Sequence, residues 1–112
     1  MSYVYDQAHN LARAIKESEE YRTYMEKRKI VYGDEKNKNM VEDFRQRIMK
    51  MQMDQMAGKE VDPEEIERTN NLENVLMLNT SINEFFTAEL RFSQLVQDIN
   101  DIIGKAIEIE QD

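Results

Sequence analysis

FFTAELRFSQLVQDINDIIGKAIEI, residues 85–109, decides the fold. Phe85, Phe92, Ile99 and Ala106 recur every seven residues, and Ala88, Leu95, Ile102 and Ile109 repeat that interval three positions on. This is an a/d heptad pattern sustained over about four heptads, the mark of a helix packed along its length against other helices. Val96 and Ile103 widen the stripe at e positions, beyond the seam of a two-stranded coiled coil. The polar run Asn79-Thr80-Ser81 supplies the start. Ser81 with Glu84 fits a capping box, and Asn79 can serve one or two residues earlier. The preceding helix can also run on into this one with only a kink. A helix of about 28 residues is about 42 Å long, against a radius of gyration of about 13 Å for a compact domain of this size. It therefore protrudes unless the third helix or a second chain covers it, and both are expected to. Phe85, Phe92, Leu95, Ile99, Ile102 and Ile103 are assigned to that interface.

Outward from this segment the rest of the chain also reads as helix. Val4, Ala8, Leu11, Ala12 and Ile15 form one apolar stripe. Ser18 before Glu19 and Glu20 caps a second helix, ending near Val31, with Tyr21, Tyr24, Met25 and Ile30/Val31 on its buried side. Gly33 is expected to take the left-handed conformation that closes it, and Asp34 to cap the next. That third helix spans about residues 35–57, is closed by Gly58, and carries Met40, Val41, Phe44, Ile48, Met51 and Gln55. Asp62-Pro63-Glu64-Glu65 starts a fourth helix, with Asp62 as cap, Pro63 in the first turn and Glu65 completing a capping-box-like pair. Ile66, Leu72, Val75, Leu76 and Leu78 form its apolar side. The prediction is all-α: about five helices in one domain over 1–112, built on a long antiparallel helical hairpin.

Composition agrees. The 112 residues are 40% hydrophobic and 34% charged, with only 3 Gly and 1 Pro. That is too apolar for disorder and too poor in turn-formers for an all-β chain. There is no cysteine, hence no disulfide, thiolate metal site or thiol nucleophile. No signal peptide or membrane span is visible, and a cytoplasmic setting is expected. Net charge is −8, unevenly distributed. Residues 1–59 hold 12 Lys/Arg against 10 Asp/Glu, and residues 60–112 hold 3 against 13. An acidic total opposes general nucleic-acid binding. The asymmetry fits a basic half lying against an acidic half, within one chain or between two.

Catalytic signatures are missing. The single histidine, His9, lies beside the first stripe and reads as a surface residue, and no nucleophile elbow, phosphate loop or zinc motif accompanies it. The run 34–39 resembles the start of a calcium loop but lacks its sixth-position glycine, and Arg45 stands where the bidentate Glu belongs. Glu64, Glu65 and Glu67 read as helix-start acids. No enzyme activity, metal or cofactor is expected. Two groups could meet a partner. Met49, Met53 and Met56 either fill the core against the last helix, the expected outcome, or form an adaptable partner surface. Lys27, Arg28 and Lys29, near Lys36 and Lys38, form a basic bend that reads first as solvated charge and second as an RNA or acidic-partner contact.

The segment Leu11-Ala12-Arg13-Ala14-Ile15-Lys16-Glu17-Ser18-Glu19-Glu20-Tyr21 resembles the opening of the YlbF/YmcA group of bacterial regulators. Gln55-Met56-Ala57-Gly58-Lys59-Glu60-Val61 with Pro63-Glu64-Glu65 is similar to its YheA branch, and Ala88-Glu89-Leu90 leading into Leu95-Val96-Gln97-Asp98-Ile99 to the family's last helix. The resemblance covers nearly the whole chain. It implies long antiparallel helices assembled as an intertwined homodimer or higher oligomer, in the cytoplasm of a Gram-positive cell. It further implies a regulatory role in competence, sporulation or biofilm formation, exercised through other regulatory proteins. The alternative it implies is an accessory factor in mRNA processing, contacting RNA or a ribonuclease such as RNase Y. The better-known members hold an iron–sulfur cluster on cysteines. With no cysteine here, no cluster ligand carries over.

Overall fold

The structure, a computed structural model, describes residues 2–108. Five α-helices follow in order: α1 Tyr3–Glu17, α2 Glu19–Tyr32, α3 Glu35–Met56, α4 Pro63–Leu78 and α5 Thr80–Ala106. Among the described residues there is no strand. Ile109, the last heptad position expected, lies outside the described residues.

Short polar side chains set the boundaries. Ser18 alone separates α1 from α2, in extended conformation. Its hydroxyl accepts from the Tyr21 amide at 3.1 Å and donates to the Ile15 carbonyl at 2.6 Å, closing one helix and opening the next. Asn79 does the same between α4 and α5, which are thus separate helices. Its Oδ1 accepts from the Ile82 amide at 3.1 Å, while its Nδ2 donates to Asn37 Oδ1 at 2.9 Å and ties the junction to α3. Ser81 is not the cap, and Glu84 pairs with Lys27 at 3.0 Å. Asp62 caps α4 as expected, through the Glu64 amide. Glu65 does not close a capping box but meets Arg47 of α3 at 3.0 Å, so the acid ties two helices together. Gly33 is right-handed, with φ −76° and ψ −13°. A Cβ there would sit a tight 3.0 Å from the Lys29 carbonyl oxygen. Gly58, at φ 78°, takes the left-handed conformation that ends α3.

Helices α3 and α4 form an antiparallel hairpin, and α2 runs antiparallel to α5. The core sits where the two pairs meet. Val31, Val41, Leu76, Ile82 and Phe85 are fully buried, with Tyr24, Tyr32, Met40, Phe44, Leu72 and Phe86 packed around them. Thr69 is the buried polar side chain on α4, its hydroxyl donating to the Glu65 carbonyl at 2.8 Å. Several expected core residues are outside it: Met25, Ile30, Ile66, Val75 and Leu78 are exposed. Each flanks its helix's buried residue on a stripe wider than one neighbouring helix covers.

The molecule is far from compact. Its radius of gyration is 18.6 Å and its extents are 52 × 41 × 21 Å, where a chain of this length packed as a globule would have a radius of about 13 Å. It exposes 9120 Å² of surface, against about 6,500 Å² for a compact monomer of its mass.

Candidate functional site

The heptad face divides. In the first half of α5, Phe85 is fully buried and Ala88 nearly so. Phe92 is half-buried between Tyr21 (ring centroids 5.3 Å, edge-on) and Tyr24 (5.4 Å, stacked), and Tyr24 also stacks on Phe85 at 5.8 Å. Aromatic contacts at these separations add attraction beyond area burial. In the second half Leu95, Val96 and Ile99 are half-buried, while Ile102 is 68% and Ile103 47% exposed.

Two expectations change. Phe85, assigned to contact with a second chain, belongs to the chain's own core, because the rings of α2 reach it first. The mate of α5 is chiefly α2, not the methionine-rich α3. Met49, Met53 and Met56 do not fill the core against α5. They are 59%, 62% and 88% exposed, because the inward side of α3 is taken by Val41, Phe44, Ile48 and Met51, the last of which meets Thr69 of α4. They form an open apolar strip.

An ion pair marks where the covered half of α5 meets α3. Arg45 Nη2 lies 2.7 and 2.8 Å from the two carboxylate oxygens of Glu89. The same guanidinium sits 5.4 Å from the Phe85 ring centroid and 5.5 Å from that of Phe86, so one cation serves a carboxylate and two aromatic faces. The basic bend is divided rather than massed. Lys27 pairs with Glu84, and Arg28 lies 4.5 Å over the Tyr32 ring, while Lys29 is exposed with no ion pair or ring contact among the described residues.

Helix α1 was legible as an amphipathic helix, but its role was not. None of its residues is buried, and its main packing partner is α2. Val4 is 71% and Leu11 37% exposed, and Ile15 is half-buried. His9 is exposed, as expected. Where α1 departs, an open groove of about 440 Å³ lies between Glu19, Glu20 and Thr23 of α2 and Arg91, Leu95 and Asp98 of α5. The groove mixes both charges and hydrocarbon. Among the described residues no group of His, Cys, Asp and Glu is arranged to hold a metal ion, and no helix is long and apolar enough to cross a membrane. The described residues present three surfaces: a thinly covered second half of α5, an α1 stripe with no buried residue and a methionine strip.

Known proteins with this sequence pattern match along the whole chain. A UPF0342 protein of Symbiobacterium thermophilum is 37% identical over 107 residues, 96% of each chain. One from Halothermothrix orenii is 37% identical, covering 95% of this chain and 90% of that one. A Bacillus pumilus relative is 35% identical over 94% and 89%. A solved structure, a protein of unknown function (DUF964) from Bacillus stearothermophilus, superposes with a TM-score of 0.85 over 95% of this chain and 93% of the other. At 22% identity that likeness concerns the fold. The family described as control of competence regulator ComK, YlbF/YmcA, matches residues 4–108, and the chain belongs to it.

Proposed function

We propose that this protein acts by helix-to-helix contact, as a self-associating cytoplasmic regulator and not as a catalyst. The observation that carries the reading is surface. The chain exposes 9120 Å², an excess of about 2,600 Å² over a compact monomer. Obligate dimers bury about 2,000–5,000 Å² in total, so an excess of this size per chain is ample for one. That excess includes the apolar second half of α5, where contiguous exposed hydrocarbon marks an interaction site. Membership of a family linked to competence control supports a regulatory role, exercised on other regulatory proteins once the dimer has formed.

Sedimentation analysis of the full chain tests the first part. A dimer or higher oligomer at micromolar concentration is expected; monomer throughout, up to about 100 μM, overturns the reading, because interfaces of this size hold at micromolar concentration or below. Deleting the gene in a competent host tests the second part. Altered transformation frequency is expected, and an unchanged frequency removes the regulatory assignment.

A further inference from the structure

Methionine is the only source of sulfur in this chain, so no cysteine takes up an oxidant first. The described methionines are not equally open. Met49, Met53 and Met56 are 59%, 62% and 88% exposed and Met25 is 40% exposed, whereas Met40, Met51 and Met77 are half-buried. The first three stand at i, i+4 and i+7 near the end of α3, a spacing that sets neighbouring side chains on one face. Met51 lies two residues from both Met49 and Met53 but turns to the other side of the helix. Its sulfur is 3.9 Å from the Thr69 hydroxyl oxygen of α4. Accessible thioethers are thus gathered on one face, and the shielded one points away from it.

We propose that the face formed by Met49, Met53 and Met56 is a reversible oxidation site, where peroxide turns an apolar strip polar while the core stands. At each thioether a sulfur lone pair attacks one peroxide oxygen. The S–O bond forms as the O–O bond breaks, and the second oxygen leaves as water with both hydrogens. Sulfur loses two electrons and hydrogen peroxide gains them, so the step balances without a further reactant. Two observations mark this as a switch and not as damage. A sulfoxide inside a core disrupts its packing, but none of the three belongs to the core or to the apolar side chains packed on it. Met40 and Met77, by contrast, pack directly against it. The three also share one face, so their joint oxidation removes a whole strip of hydrocarbon from the surface. Their exposure admits the reductases that return each sulfoxide epimer to the thioether. The site does not depend on the self-association proposed above.

The full chain is treated with hydrogen peroxide, and each methionine is followed by peptide mass spectrometry. Met49, Met53 and Met56 are expected to oxidise at least about fivefold faster than Met40, Met51 and Met77. With only the strip oxidised, helical circular dichroism and the urea midpoint should stay unchanged, while retention on a phenyl column falls. The two methionine sulfoxide reductases, supplied with a dithiol, should restore that retention. A chain carrying Met49→Leu, Met53→Leu and Met56→Leu, apolar and inert to peroxide, should show no such fall. Equal rates at all six positions overturn the proposal, as does a strip shielded from peroxide, which would leave self-association standing. A urea midpoint that drops in step with strip oxidation also overturns it, because the change is then damage to the fold. So do unchanged retention and sulfoxides that the reductases leave in place.

Discussion

The two halves of α5 carry the same heptad and meet opposite fates. From Ile82 to Phe92 its stripe is enclosed by the rings of α2, by α3 through Phe44, and by the end of α4. From Leu95 onward the stripe continues unchanged in chemistry while its cover thins, from half-buried Leu95, Val96 and Ile99 to exposed Ile102 and Ile103. Heptad spacing specifies that a face will be buried; whether its own chain does the burying depends on how far the other helices reach. The first half is a core, and the second is left largely open by the chain's own helices.

Paired substitutions on this helix should separate the halves. Phe85→Ala removes a fully buried ring and should cost about 3–5 kcal/mol, read as a lower urea midpoint at unchanged slope. Ile102→Ala, on the open half, should change the unfolding of the monomer by less than about 0.5 kcal/mol. Equal losses from the two would erase the distinction.

Smaller effects sharpen it. Asn79→Ala should cost about 1–2 kcal/mol, since it removes the α5 cap and the hydrogen bond to Asn37 together. Arg45→Ala should cost about 1 kcal/mol, its two carboxylate bonds and aromatic contacts discounted for a site about a third exposed. Arg45→Lys should recover little of that, because an ammonium cannot lie flat over Phe85 and Phe86 while reaching Glu89. Met53→Ser, on the exposed strip, should stay within about 0.5 kcal/mol of the parent in thermal or urea melts. A larger loss would show that strip to be covered in solution.

Local signals told most of the fold. Ser18, Asp34, Asp62 and Asn79 begin helices where short acceptors precede apolar periodicity, because capping is decided within three residues. Gly58 stops α3 for an equally local reason. Pairing was harder to read. Nothing in an apolar stripe names the helix that will cover it. Hence periodicity alone does not single out α2 as the mate of α5, although Tyr21, Tyr24 and Tyr32 repeat at helical spacing opposite its phenylalanines. The methionines are hard to place for the same reason: the chain holds eight, and their adaptability gives no preference for the inside. Helix α1 reads like any other amphipathic helix, and only three dimensions reveal that none of its residues is buried within the chain.

The Lys27–Glu84 contact joins residues 57 apart in the chain, whereas Arg47 and Glu65 are 18 apart. Closing a short loop is entropically cheaper than closing a long one, so the α3–α4 hairpin can assemble early while α2 waits for α5. On the ribosome the delay is longer still. The tyrosines of α2 emerge near the beginning of synthesis and their phenylalanine partners near its end. Until then α2 is an aromatic strip without a home, and prompt completion of the chain shortens the period in which it can find the wrong one.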